Sequence, residues 1–234
     1  MNSDQPEGRD ALELIKRTLG NPLRPGELGA LLARAGVGKT ACLTHIALEQ
    51  LFGSQPVLHV CIDGAAEKIK IWYRELLKNF LSPSSRDTFT AQQRRLESLR
   101  FILAYLHHTF SIQKLEQSLH NLEEQTKFRP ALIVLDGLDF DREPRATVAE
   151  LRGFAQKHQV AMWMSIRTHR HIATTNENGI PYPCDGTDDL FQAILLLEPT
   201  PKAIQVRVLK DAGQYRPEHA EVFLDPQTYL LQKG

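Results

Sequence analysis

Short apolar runs alternate with stretches of helical periodicity along most of the chain. The apolar runs, which predict strands, are 28–32, 56–62, 100–106, 131–135 and 160–166. The helical stretches, in which apolar residues recur every three or four positions, are 11–19, 39–53, 67–81, 111–125 and 144–158. Strands joined by helices predict right-handed crossovers, and therefore an α/β fold with a mostly parallel, twisted sheet and helices on both faces.

The start of the chain and one connecting segment add to this pattern. The polar residues 1–10 predict a disordered tail, and 11–234 are predicted to form a single domain. After a loop at 82–85, Thr90 and Gln93 have the spacing of a capping box, which predicts a further helix that begins there.

The last third of the chain follows a different pattern. Residues 167–189 are polar, contain Gly, Pro and Asn, and lack periodicity, and a loop of this length is usually functional or mobile. Three further apolar runs, 193–197, 203–209 and 220–224, predict closing strands. The last two alternate as the strands of an antiparallel hairpin at a sheet edge would.

Charge and composition exclude several classes of protein. Lys plus Arg and Asp plus Glu number 28 each and the pI is near 7.1, so no global positive field points to nucleic acid. The polar N-terminus lacks the pattern of a signal peptide, and no apolar run is long enough to span a membrane. Cys42, Cys61 and Cys184 lie far apart without metal-ligand spacing, which predicts reduced thiols in a cytoplasmic protein.

One stretch carries a chemical motif. It follows the strand 28–32, opens the next helix, and reads Ala33, Arg34, Ala35, Gly36, Val37, Gly38, Lys39, Thr40, Ala41. A strand, a small-residue loop ending Gly-Lys-Thr and a helix are what a phosphate-binding P-loop, or Walker A motif, requires. Gly36 and Gly38 let backbone amides approach the phosphates. Lys39 would reach the β- and γ-phosphates and Thr40 would hold Mg²⁺, while alanine replaces the usual first glycine, a mild change.

A second motif follows the strand 131–135. Four apolar residues and then Asp136 form a Walker B pattern, whose carboxylate would hold the Mg²⁺ that bridges the phosphates. Parallel sheets bind ligands at the carboxyl ends of their strands, and Lys39, Asp63 and Ser165 stand at three other strand ends. Asp139 and Asp141 nearby are interpreted as solvated loop acids.

Asp63 is a candidate for the group that orients the attacking water. It ends the strand 56–62, which is expected beside the P-loop strand, and it precedes a glycine. An Asp-Gly pair after a strand is also an ordinary turn signal, so both readings stay open. Glu67 is the second candidate for the catalytic role, although an acid in the first turn of a helix commonly complements the helix dipole.

These features together resemble the RecA-like P-loop ATPases, and they are most similar to the branch that contains KaiC, RadA and the DnaB replicative helicases. The similarity covers roughly residues 23–225 and includes the Walker motifs, Cys61-Ile62-Asp63 and Val208-Leu209-Lys210-Asp211. It implies a RecA-like fold, ATP and Mg²⁺ as ligands, and a homo-oligomer with nucleotide between subunits. It also implies that Asp63 stands where that branch commonly has a glutamate.

Two departures from that branch matter for catalysis. Lys210 matches the Lys of a C-terminal Lys-x-Arg pair that reaches the γ-phosphate of a neighbouring subunit, but Ala212 replaces the Arg. A missing arginine finger predicts slow hydrolysis or a substitute such as Arg207 or Arg216. Where the branch has a polar sensor after the Walker B strand, this chain has Ser165, with the nearby Arg167 as a second candidate.

Further candidate ligand contacts remain open. The basic stretch 167–171 lies where RecA-like proteins place DNA-contacting loops, although the neutral net charge favours the alternative interpretation, a solvated mobile loop. A metal site built from His169, His171 and Cys184 has no recognised spacing. The helix 67–81 carries three candidates for stacking on adenine, which would otherwise belong to the core: Trp72, Tyr73, Arg74.

The sequence therefore predicts a cytoplasmic, slow RecA-like ATPase that binds MgATP and whose nucleotide state controls an unknown protein partner or assembly. Lys39, Thr40 and Asp136 would carry the chemistry, with Asp63 and Lys210 as further catalytic candidates. The alternatives are a nucleotide-gated module that does not hydrolyse ATP and a DNA-associated recombination or replication accessory ATPase. No membrane association is expected.

Overall fold

The computed structural model describes residues 22–81, 86–140, 144–169, 172, 174–216 and 222–233. The strands are β1 Leu28–Ala33, β2 Val57–Ile62, β3 Arg100–Tyr105, β4 Leu132–Asp136, β5 Ala161–Arg167, β6 Ala193–Pro199, β7 Ile204–Asp211, β8 Gln214–Tyr215, β9 Val222–Leu224 and β10 Leu231–Lys233. The helices are α1 Lys39–Phe52, α2 Ala66–Phe80, α3 Arg86–Ser98, α4 Ile112–Thr126 and α5 Pro144–His158. The predicted tail, the predicted helix 11–19 and the loop 82–85 lie outside the described residues.

The described strands form one sheet in the order β10-β9-β7-β6-β1-β5-β4-β2-β3, with β8 paired to β7. The pairs from β6 through β3 are parallel, whereas β7, β8, β9 and β10 pair antiparallel with their neighbours. The predicted fold class, a mostly parallel sheet with a C-terminal antiparallel hairpin, is confirmed. The edge strand β10 was not predicted, because a three-residue strand carries too little periodicity to be recognised.

Both faces of the sheet are covered by helices, which explains why the strands read as continuous apolar runs. Along β1, Leu31 and Ala33 belong to a buried cluster with α1, α2 and α3, whereas Ala30 and Leu32 belong to a second cluster with α4 and α5. A fully buried Leu contributes about 1.5–3 kcal/mol to folding. The apolar character of every β1 position therefore fixes the P-loop strand in the interior.

The strand order corrects one expectation about β2. The P-loop strand β1 pairs with β5 and β6, so β5 and β4 lie between β1 and β2. The expectation that Asp63 ends a strand beside the P-loop strand is therefore wrong, because β2 adjoins the strand of Asp136 instead. A buried apolar run identifies a central strand but carries no information about its neighbours, which non-local packing selects.

The start of α3 also differs from the expectation. The helix begins at Arg86, so Thr90 and Gln93 lie inside it and do not form a capping box. The Gln93 side-chain amide instead donates to Glu97 Oε1 one turn later, at 2.9 Å. The spacing of a capping box occurs by chance inside polar helices, and here the hydrogen-bond partner is a side chain on the same face.

Residues 174–189 of the long polar stretch form a hydrogen-bonded loop with little regular secondary structure. The Asn176 side-chain amide donates to the Asp188 carboxylate at 3.1 Å, and Asn176 Oδ1 accepts from the Ile180 backbone amide at 3.0 Å. Ile180 and Cys184 are fully buried. Hydrogen bonds to one asparagine, rather than a repeating apolar face, hold this segment together, and they leave no periodic signal in the sequence.

Candidate functional site

The P-loop joins the end of β1 to the start of α1. Gly36 and Gly38 have φ values of 78° and 107°, a region that other residues rarely adopt. Gly38 is the N-cap of α1, and no side chain caps that helix end within the described residues. The first-turn amides of α1 are therefore open toward the loop, and together with the helix dipole they favour an anion at this position.

Lys39 lies across the loop that it follows. Its ammonium donates to the carbonyls of Ala33 at 3.0 Å and Arg34 at 2.9 Å. Burial lowers the pKa of Lys39, Asp136 acts in the opposite direction, and the nearby Arg167 lowers the pKa further. The amine is thus held at the loop, close to both the Walker B carboxylate and the end of β5.

A chain of short hydrogen bonds joins the P-loop to the Walker B aspartate. Thr40 Oγ1 donates to Asp136 Oδ2 at 2.6 Å, and Ser165 Oγ donates to Asp136 Oδ1 at 2.6 Å. Ser165 Oγ also accepts from the backbone amide of Gly137 at 3.0 Å. The Thr40 hydroxyl and the Asp136 carboxylate are hard oxygen donors side by side, the type of ligand that Mg²⁺ prefers.

Gly137 fixes the chain directly after Asp136. Its φ is 98°, and a Cβ at this position would lie 2.4 Å from the carbonyl oxygen of Ile62 on the neighbouring strand. Only glycine allows this approach, since both the conformation and the space exclude a side chain. The residue therefore keeps the ends of β2 and β4 together and orients the Asp136 carboxylate toward the P-loop.

A cavity of about 390 Å³ opens in front of these groups. Its lining includes Lys39, Thr40 and Asp136, together with the segment from the end of β2 through the first turns of α2. The residues contributed by that segment and by the C-terminal region are Cys61, Ile62, Gly64, Ala65, Lys68, Ile69, Trp72 and Tyr229. The P-loop residues and the Walker B aspartate thus line the same cavity as two aromatic residues, Trp72 and Tyr229.

Tyr229 was not among the residues predicted for the site. Its ring makes an edge contact with Trp72, with centroids 4.8 Å apart and planes at 87°. Its backbone carbonyl accepts from the Nε2–H of His45, which is fully buried in α1, and Asn79 in α2 donates to the adjacent Thr228 carbonyl at 2.9 Å. The C-terminal turn is thereby attached to both helices that flank the cavity, a tertiary arrangement without a local sequence signal.

Asp63 is not brought to the P-loop. Its Oδ1 accepts from the backbone amide of His107 at 2.6 Å, and its own amide donates to the Tyr105 carbonyl at 2.8 Å. It lies exposed with φ of 54° in the turn that leads from β2 to α2. Glu67, the second candidate, forms an ion pair with Lys70 at 2.6 Å.

The three cations considered for the γ-phosphate each have partners within the chain. Lys210 is buried, and its ammonium donates to the Asp188 carbonyl at 2.8 Å. Arg207 pairs with Glu198 at 2.9 Å, and Arg216 pairs with the buried Asp211 at 2.7 Å. A role of Lys210 at a neighbouring subunit would therefore require this lysine to leave a buried hydrogen bond.

The structure distinguishes among the aromatic residues of α2 that were candidates for stacking on adenine. Tyr73 is buried in the core, where its hydroxyl lies 3.1 Å from His59 Nδ1, so Trp72 is the aromatic of α2 at the cavity.

Within the described residues no group of three His, Cys, Asp or Glu side chains could hold a metal. Cys184 is buried, which raises its pKa to about 12, while His171 lies outside the described residues.

Two buried histidines link stability to pH. Burial lowers the pKa of His45 and of His59 to about 4, below the usual value near 6.5. The unfolded chain therefore binds protons that the folded chain does not as pH falls from about 6.5 to 4, and the free energy of unfolding decreases over that window by up to about 1.4 kcal/mol per pH unit for each histidine.

The variant His45→Gln keeps a donor for the Tyr229 carbonyl but cannot titrate. We expect its unfolding free energy, measured by urea titration between pH 7 and 4.5, to fall less steeply with decreasing pH than that of the natural chain. Parallel pH dependences in the two proteins would contradict the assignment of His45 as a buried neutral side chain.

No described helix is long and apolar enough to cross a membrane.

No curated protein matches the chain. Residues 10–165 match the AAA domain family, and this match covers more than half of the chain, including the P-loop and Asp136. The chain therefore belongs to the AAA domain family, a group of P-loop ATPases.

Proposed function

We propose that this protein binds MgATP in the 390 Å³ cavity, hydrolyses it slowly, and uses its nucleotide state to control a partner or assembly. The observation that carries the proposal is the 2.6 Å hydrogen bond between Thr40 Oγ1 and Asp136 Oδ2. It joins the last residue of Walker A to the Walker B carboxylate, and a phosphate-bound Mg²⁺ requires these two groups to be neighbours.

The residues at the loop end of the cavity fit a triphosphate. The open amides after Gly38 and the ammonium of Lys39 are donors for phosphate oxygens. The Thr40 hydroxyl and the Asp136 carboxylate would hold Mg²⁺, and Ser165 fixes the orientation of that carboxylate. When bound, the metal ion neutralises phosphate charge and orients the terminal phosphate.

The arrangement of carboxylates at the cavity supports the proposal that hydrolysis is slow. Among the described lining residues Asp136 is the only carboxylate, and both of its oxygens already accept hydrogen bonds. Asp63, bound to the amide of His107, would have to turn away from β3 before it could orient water. This arrangement also supports the alternative of a nucleotide-gated module without turnover, and measured turnover separates the two.

We further propose a place in the KaiC, RadA and DnaB branch, a homo-oligomeric state and a cytoplasmic location. The segment after β2 supports the first, because Gly64, Ala65 and Ile69 line the same cavity as the P-loop residues. The oligomer rests on family analogy and is tested by the mass of the protein in solution with and without MgATP.

The two aromatic residues that line the cavity, Trp72 and Tyr229, form what we call the aromatic wall, and it gives an optical test of binding. Of the two tryptophans, Trp163 is buried against Gly29, and only Trp72 lines the cavity. We expect MgATP to change the intrinsic fluorescence of the natural chain and to leave that of Trp72→Phe nearly unchanged. Trp72→Ala should bind MgATP roughly tenfold more weakly, as expected for loss of one base-stacking surface.

The control for this titration is inorganic triphosphate, which has no base. Its affinity should be the same for Trp72→Ala and the natural chain. A fluorescence change that persists in Trp72→Phe, or an equal loss of affinity for triphosphate, would remove the assignment of the base to this wall.

A further inference from the structure

Lys68 is a cation at the nucleotide cavity that has no assigned role. It lies in the first turn of α2, is exposed, and lines the cavity together with Lys39 and Asp136. Within the described residues no carboxylate pairs with its ammonium. By contrast, Lys70 and Lys78 of the same helix form ion pairs of 2.6 and 2.9 Å with acids three residues earlier.

The position of Lys68 along α2 places it at the phosphate end of the cavity. Trp72 is four residues later, so both side chains lie on one face of the helix, with Lys68 one turn closer to the strand ends. Asp136 ends the strand next to β2, from which α2 follows. Lys68 is therefore closer than Trp72 along α2 to the strand end that precedes the helix, and this strand pairs with the strand of Asp136.

The start of α2 adds to the positive potential. Gly64 and the N-cap Ala65 line the cavity, and no side chain caps this helix end within the described residues. Two helix N-termini and two lysines thus face a cavity that contains one carboxylate. A polyanion is the ligand that balances this charge.

We propose that Lys68 contacts the terminal phosphate of bound ATP. It would supply, within one chain, the positive charge that an arginine finger from a neighbouring subunit supplies in the helicase branch. This inference rests on the proposed function of the cavity. In the reaction the water oxygen bonds to the γ-phosphorus, and the bond from that phosphorus to the bridging oxygen breaks. The electron pair of the broken bond stays on ADP, and the water proton passes to the released phosphate.

The charge that accumulates during this step explains why a second lysine is useful. Lys39 is held at the loop carbonyls and reaches the phosphates from the P-loop side. Lys68 lines the same cavity from α2 and not from the P-loop, so in this proposal the terminal phosphate contacts ammonium groups from two different elements. Lys210, Arg207 and Arg216 are each bound to another partner in the chain. Within the described residues, Lys68 is therefore the cation that we assign to this role.

The test compares Lys68→Ala with Lys70→Ala, a matched exposed lysine two residues later that does not line this cavity. We expect Lys68→Ala to lower kcat for ATP by roughly 10- to 100-fold, the range for one charged hydrogen bond. Its affinity for ADP should change less than about twofold, because ADP lacks the terminal phosphate. Lys68→Arg should restore a large part of kcat, and Lys70→Ala should behave like the natural chain.

Three results would overturn the inference. These are an unchanged kcat in Lys68→Ala, an equal loss of affinity for ATP and ADP, and an equal effect of Lys70→Ala. If the natural chain has no measurable turnover, the same comparison is made on the ratio of ATP to ADP affinity, which Lys68→Ala should reduce. Failure of the proposed function is distinguishable, because the natural chain would then bind neither nucleotide.

Discussion

Replacing Lys39 with alanine is expected to weaken MgATP binding by roughly 100-fold or more, because two charged hydrogen bonds to phosphate oxygens are lost. The open amides of α1 remain, so some affinity for phosphate should persist. Calorimetric titration of the natural chain and of Lys39→Ala with MgATP measures the difference. This effect is the largest we expect for a single side chain, since Lys39 is the charged P-loop side chain that lines the cavity.

The control for Lys39→Ala is thermal unfolding without nucleotide. The substitution removes only the hydrogen bonds to the Ala33 and Arg34 carbonyls, so the protein should stay folded. The same concentration of MgATP should then raise the unfolding temperature of the natural chain by much more than that of the variant. Equal ligand-induced stabilisation of both proteins would contradict the assignment of the P-loop.

Replacing Asp136 with asparagine is expected to abolish the dependence of nucleotide affinity on Mg²⁺ and to reduce turnover by roughly 100-fold or more. The asparagine oxygen can still accept from Thr40 Oγ1, but the negative charge is lost. The measurement is ATP affinity with Mg²⁺ and with excess chelator. The natural chain should bind more tightly with the metal, whereas the affinity of Asp136→Asn should be nearly the same under both conditions.

A matched acid is available three residues later. Asp139 is exposed and does not line the cavity, so Asp139→Asn should retain the metal dependence of the natural chain. If Asp139→Asn and Asp136→Asn lose the metal dependence equally, or if neither does, Asp136 is not the metal-binding carboxylate.

The local parts of the site could be predicted because the residues that specify them are consecutive in the sequence. The apolar run of β1, the glycines of the loop and the Gly-Lys-Thr ending specify a P-loop within one strand and one helix. Asp136 follows from the same logic, since an acid after a buried strand stands at the carboxyl edge of the sheet. These signals depend on backbone conformation and burial, which neighbouring residues determine.

The non-local parts could not be predicted in the same way. Ser165 reaches Asp136 only because β5 lies between β1 and β4, and strand order depends on how helices pack on the sheet. Tyr229 enters the cavity because its carbonyl meets His45, 184 residues earlier. Asp63 carries the expected residue type, but its carboxylate binds the amide of His107, 44 residues later, and no local pattern specifies that partner.

Phosphate release from MgATP, measured in parallel for the natural chain and Lys39→Ala, reports both whether the cavity binds the nucleotide and whether the chain cleaves it. We expect slow, Mg²⁺-dependent release by the natural chain and none above background by the variant, as the proposed function requires. Release that is equal in the two proteins, or a natural chain that neither binds nor cleaves MgATP, would contradict it.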